Sequence, residues 1–137
     1  MPIPDTVTQE DLARWEKEYQ NSAEKNDKEA DRLMNTCKKV MPIFPMVDER
    51  EVYYSGCWLG GELHDLGASE EEVSEIGQTH GQRCFFAKVM KTDCWDLAKL
   101  SIKEFESGDW TKPGEKLAAE LCEQYLIPYL AGLRSRN

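Results

Sequence analysis

The sequence is poor in the residues and motifs that carry common chemistries. It has only two histidines, His64 and His80, and neither a Walker-type phosphate loop nor a nucleophile elbow. Its five cysteines form no C-x-x-C pair, and an odd number argues against a disulfide framework. The uncharged run from Tyr53 to Gly61 is too short and too rich in glycine to cross a bilayer, and the amino terminus has no basic region followed by an apolar stretch. These absences predict a cytoplasmic protein without a membrane association.

Basic residues are also scarce. The chain has 17 Lys and Arg against 26 Asp and Glu, a net charge of -9, which opposes direct binding to nucleic-acid phosphate or anionic lipid. The longest acidic run, Glu70 to Glu72, directly follows Ser69. Acids are favoured in the first turn of a helix by its partially positive amides, so the run predicts a helix start. The alternative is that the acidic surface imitates nucleic acid, which would make the protein an inhibitor of a DNA- or RNA-binding protein.

Local signals divide the chain into about five helices. Four capping-type pairs and one proline-glycine turn mark their starts: Thr8/Asp11, Asp48/Glu51, Ser69/Glu72, Asp93/Asp96 and Lys112 to Gly114. We expect the first helix to reach about Lys39, the third to reach about Lys91, and Pro128 to disrupt the last. No segment alternates as a strand does. The sequence therefore predicts one all-α domain over residues 1–137, a helical bundle with a central antiparallel helical hairpin that turns at Gly67.

Two pairs of glycines, Gly56 with Gly60 and Gly77 with Gly81, lie inside the helices of this hairpin. A glycine inside a helix costs up to about 1 kcal/mol of stability relative to alanine. The first interpretation is that they let helices pack unusually closely. The second is a pocket for a flat cofactor such as haem. That pocket would involve Gly56, Gly60, His64, Gly77, Gly81 and Phe85.

The hairpin also brings cysteine and histidine together. His80 and Cys84 lie one turn apart on one helix face, and the hairpin register places Cys57 opposite them. These three residues form a candidate zinc site, although structural zinc takes four ligands and no fourth is evident. Cysteines in helices are more commonly small buried apolar residues. His80 beside Cys84 is also the only local pairing of a base with a thiol nucleophile. We expect no catalytic residue and no cofactor, with zinc and haem as the alternatives.

Residues Gly67 to Trp110 resemble the small helical accessory subunit of adenosylcobalamin-dependent aminomutases. The resemblance rests on the Ser69 cap, His80-Gly81, Ala87-Lys88 and the closing segment Ser107 to Trp110. It implies an accessory role and assigns no functional residue.

An apolar strip between the first two helices is a candidate surface for binding another protein. Pro42 and Pro45 hold it extended. Four apolar residues of the strip and two tryptophans elsewhere are the candidate contact residues: Met41, Ile43, Phe44, Met46, Trp58 and Trp110. We therefore expect a non-catalytic protein-interaction module, an accessory or regulatory subunit of a larger complex. A metal- or cofactor-binding protein using Cys57, His80 and Cys84, and an acidic inhibitor that mimics nucleic acid, are the alternatives; self-association is left open.

Overall fold

A computed structural model describes residues 3–22, 45–110 and 114–136, together with Arg32 and Asn35. Within these residues the chain is helical and has no strand. Its elements are α1 (Gln9–Ser22), α2 (Glu49–Asp65), α3 (Glu70–Phe85), α4 (Cys94–Ser107), α5 (Gly114–Leu121), a π-helical segment (Cys122–Leu126) and α6 (Ile127–Arg136). The last three follow one another without a break, so the described chain has five continuous helices. The predicted all-α bundle is confirmed.

Side-chain caps begin the helices where the sequence predicted them. In the capping box of α3, the Glu72 amide donates to the Ser69 hydroxyl at 3.1 Å and the Ser69 amide donates to the Glu72 carboxylate at 2.9 Å. The acidic run Glu70 to Glu72 occupies the first turn of this helix, as expected. Asp48 and Asp93 cap α2 and α4 through their side-chain oxygens. These starts are local, which is why the sequence alone reveals them.

Glycine ends two of the helices. The chain turns after α2 at Gly67, where φ is +88°, and after α4 at Gly108, where φ is +80°. The amide of Ala68 donates to the Leu63 carbonyl at 3.0 Å, which is the long hydrogen bond of a Schellman turn. The first of these turns reverses the chain between α2 and α3, so the predicted central antiparallel hairpin is present.

Two predicted helix ends are wrong. Helix α3 ends at Phe85 and not near Lys91, because turns in residues 86–91 bury Phe86 and Ala87 completely. Pro128 does not disrupt the last helix. The preceding turn is π-helical, so the Ile127 amide donates to the carbonyl of Cys122 five residues earlier. The wider turn relieves the clash that a proline ring makes with the preceding helical turn, and α6 continues through it.

Helix α2 is central to the described part of the bundle. It packs against α1, α3 and α4, and α3 packs in turn against α4 and α5. The centre of the bundle between α2, α3 and α4 is filled by Leu59, Leu63, Ile76 and Ala98. A second apolar cluster joins the end of α3 to α5 through Phe85, Phe86, Leu117 and Leu121. No helix in the described ranges is both long enough and apolar enough to span a membrane.

Two sequence predictions fall largely outside the described residues. The extension of the first helix to Lys39 is represented only by Arg32 and Asn35, both of which are helical. In the apolar strip, Met41, Ile43 and Phe44 lie outside the described residues.

Candidate functional site: a buried polar junction and a surface pocket

Four polar side chains from three helices meet in the core, and we call them the polar junction: Ser55 of α2, His80 and Cys84 of α3, and Cys94 of α4. All four are buried. The Ser55 hydroxyl lies 2.8 Å from Nε2 of His80, and Sγ of Cys84 lies 3.2 Å from the same nitrogen. The thiols of Cys84 and Cys94 are also hydrogen-bonded to each other. The junction therefore links α2, α3 and α4 through side-chain hydrogen bonds.

One tautomer of His80 is consistent with these contacts. When the Ser55 hydroxyl donates its hydrogen to the Val52 carbonyl at 3.2 Å, its oxygen accepts a hydrogen from Nε2 of His80. Nδ1 is then the acceptor of the ring and lies 3.6 Å from the Cys84 thiol. In this arrangement both ring nitrogens of a neutral imidazole have a hydrogen-bond partner.

Burial keeps both reactive groups uncharged. It lowers the pKa of His80 to about 3, and the positive charge of Arg83 contributes in the same direction. It raises the pKa of the Cys84 thiol well above its ordinary value, and the Cys94 thiol adds to that increase. At neutral pH the pair is thus a thiol beside a neutral imidazole. A cysteine nucleophile reacts as the thiolate and must be reached by its substrate, and neither condition is met here.

The structure does not bring Cys57 to His80 and Cys84. Cys57 is half-buried on the side of α2 that faces α1, where Tyr53 is its hydrogen-bond partner and Glu18 and Arg14 are the nearby charges. Burial raises the pKa of its thiol to about 11. Among the described residues, no group of three His, Cys, Asp or Glu side chains is arranged to hold a metal ion.

Ser55 occupies the place that the sequence interpretation gave to Cys57. Residues two apart on an α-helix point about 200° apart around the axis, so only one of the two can face α3. The buried face of α2 is formed by Ser55, Leu59 and Leu63, which are spaced four residues apart. That spacing is the signal in the sequence that could have placed Ser55 in the core.

The residues of the predicted cofactor pocket are dispersed. His64 is exposed, Phe85 is buried in the cluster beside α5, and Gly81 is half-buried next to His80. Among the described residues, a Cβ atom at Gly56 or Gly77 would meet no atom within 4 Å, and one at Gly60 would touch Val73 at 3.8 Å. Within the described part of the chain, therefore, Gly56 and Gly77 show no close helix packing of the kind that the first interpretation expects.

The described partner-contact candidates pack against their own chain. Met46 is half-buried against the Phe85 cluster. Trp58 donates its indole hydrogen to the Thr6 hydroxyl at 3.0 Å and packs edge-to-face on Trp95. Trp110 stacks on Phe105 with ring centres 6.3 Å apart. Of these three residues, only Trp110 lines the surface pocket described next.

A surface pocket of about 120 Å³ lies between α3 and the carboxyl end of α4, and we call it the α3-α4 pocket. Its polar lining consists of Thr79, Arg83, Ser101, Glu104, Asp109 and Trp110. Both terminal nitrogens of Arg83 bind the Glu104 carboxylate, with Nη2 to Oε2 at 3.0 Å. The left-handed turn at Gly108 brings Asp109 and Trp110 back beside this ion pair.

A comparison with known protein families, with curated proteins and with solved structures finds no match to this chain. The resemblance of residues 67–110 to the aminomutase subunits gains no support from it. The site must therefore be interpreted from its own geometry.

Proposed function

We propose that this chain is a non-catalytic protein-interaction module, an accessory or regulatory subunit of a larger protein complex. The observation that carries the proposal is the state of the polar junction. The base His80 and the thiol Cys84, which could form a nucleophilic pair, are buried and uncharged. Their hydrogen bonds join helices, which is a structural use of these side chains.

The surface supports the same proposal. The protein is strongly acidic, and the α3-α4 pocket is half open to solvent through exposed Asp109 and half-buried Trp110. Tryptophan beside polar groups is typical of the residues that contribute most to protein interfaces. These features suit recognition of another macromolecule better than conversion of a substrate.

Co-purification tests the proposal. The tagged full chain is purified from its own cells at physiological salt, and the mass of the eluted species is measured by size-exclusion chromatography with light scattering. We expect a complex of fixed stoichiometry with a second protein. Elution of the chain alone, as a monomer or homo-oligomer, would contradict the proposal.

Two further measurements on the same material separate the alternatives. A Cys84→Ser variant should retain the second protein, whereas a metal-binding protein would lose stoichiometric metal on that substitution. Added duplex DNA should leave the complex intact. Displacement of the second protein by DNA would instead identify an inhibitor that imitates nucleic acid.

A further inference from the structure

The α3-α4 pocket has more acceptor capacity than its own residues use. Ser101 is almost fully buried and donates its hydroxyl hydrogen to the Leu97 carbonyl at 3.1 Å, which leaves its oxygen lone pairs for another donor. The hydroxyl of Thr79 makes no hydrogen bond within the described part of the chain. From the described residues, the Asp109 carboxylate accepts one long bond, 3.3 Å, from Ser107. A ligand rich in N–H donors would satisfy these oxygens.

The charge of the pocket also favours a cation. Arg83 is matched by Glu104 in a two-pronged ion pair, so these two charges balance. Asp109 then adds one negative charge that no other described residue lining the pocket offsets. The net charge of -9 on the whole chain attracts positive groups to the surface around it.

Trp110 gives the pocket a flat aromatic wall. Its ring is held by stacking on Phe105 at an interplanar angle of 14°. Tryptophan is the best aromatic partner for a cation, and a planar guanidinium can stack on it while donating to a carboxylate. The pocket volume of about 120 Å³ is somewhat below that of the roughly 150 Å³ cavity that holds benzene. Because a guanidinium group is smaller than benzene, it suits a pocket of this size.

We propose that the α3-α4 pocket receives an arginine side chain presented by the partner protein. The guanidinium stacks on Trp110 and donates hydrogen bonds to Asp109 and to the hydroxyl oxygens of Ser101 and Thr79. The Arg83–Glu104 pair holds α3 and α4 at the separation that leaves this space. This assignment rests on the proposed interaction function and specifies the chemistry that the partner brings.

A titration monitored by NMR tests the assignment on the full chain labelled with ¹⁵N. The probe is Nα-acetyl-arginine methylamide, added at constant ionic strength, and the matched control is the corresponding citrulline compound, which has the same shape but no charge. We expect a saturable shift of the Trp110 indole N–H signal, with a dissociation constant on the order of 1 mM, the affinity of a single small group. The citrulline compound should give no shift.

Two variants locate the interaction. Asp109→Asn removes the unmatched charge and should weaken arginine binding about fivefold, the contribution of one exposed charge pair. Glu106→Gln removes an equal charge from an exposed position two residues beyond Glu104, on the opposite side of α4, and should leave binding unchanged. In Trp110→Phe, which keeps a ring on Phe105 but has no indole signal, binding is followed by the backbone amide signal of Asp109 and should be weaker although the protein stays folded.

Several results would overturn the assignment. These are the absence of a saturable Trp110 shift up to the highest arginine concentration, an equal response to citrulline, and equal losses of affinity in Asp109→Asn and Glu106→Gln. If any of them occurs while the chain still co-purifies with a second protein, the arginine assignment fails and the interaction function stands. If arginine binds but no protein partner is found, the proposed function fails independently.

Discussion

His80 contributes to stability only while it remains uncharged. Its pKa is about 3 in the folded protein against an ordinary value of 6.5, so the unfolded chain binds more protons between these values. The stabilising contribution of His80 to the free energy of unfolding is therefore fully present above pH 6.5. It falls as the pH is lowered towards 3, by at most about 1.4 kcal/mol per pH unit.

The variant His80→Gln should lose this part of the pH dependence. Urea unfolding at several values between about pH 6.5 and pH 5 should show a smaller loss of stability in His80→Gln than in the unmodified protein. His64→Gln removes the other histidine, which is exposed, and is the matched control. Equal slopes for His80→Gln and the unmodified protein would show that His80 is not held neutral by the fold.

Gln82 carries a buried acceptor that the fold leaves unused. The residue is 4% exposed, and its Oε1 atom has no hydrogen-bond partner among the described residues. An unpaired buried acceptor costs about 1 to 3 kcal/mol. Methionine has nearly the same shape without this polar atom, so Gln82→Met should raise the free energy of unfolding by about 1 kcal/mol.

The measurement for Gln82 is chemical denaturation of both proteins under identical conditions. Gln78→Met, one turn earlier in α3 at a half-buried position, is the control and should change stability less. A Gln82→Met protein that is less stable than the original would mean that the amide makes a needed interaction.

Glycines within and after the helices should respond in opposite ways to alanine. At Gly56, inside α2, a new Cβ would meet no atom of the described residues within 4 Å, and alanine should stabilise the protein by about 0.5 to 1 kcal/mol. At Gly108, φ is +80°, a conformation that disfavours side chains, so alanine should destabilise it by about 1 kcal/mol. Thermal unfolding of the two variants checks both signs. Destabilisation by Gly56→Ala would instead show that something packs on this glycine.

The helices differ in how far the sequence specifies them. Their starts depend on contacts within three residues, such as Ser69 with Glu72, and were predicted. The end of α3 depends on the burial of Phe86 and Ala87 against other helices, and local patterns do not encode that. The continuity of the last helix through Pro128 depends on the choice of a π-helical turn, which the apolar spacing did not indicate.

The assembled sites were predictable only in part. The pairing of His80 with Cys84 follows from their spacing on one helix, and it is present. Which residue of α2 faces them depends on how that helix is rotated in the bundle, and the structure places Ser55 there and not Cys57. The α3-α4 pocket joins residues as distant in sequence as Arg83 and Glu104, so it became visible only in three dimensions.

At the scale of the whole molecule, the reactive side chains lie in the packed core of the bundle, and we propose that the acidic surface serves recognition. Under this proposal the protein functions in an assembly. Substitutions in the polar junction should then leave partner binding intact, whereas substitutions on the surface should weaken it.

Native mass spectrometry of the protein purified from its own cells is the sharpest test of this proposal, because it reports partners, metals and cofactors together. We expect one species in which the 15.8 kDa chain is joined to a second protein at fixed stoichiometry, unchanged in Cys84→Ser. A chain without a second protein would contradict it. So would a chain carrying a metal or cofactor that Cys84→Ser removes.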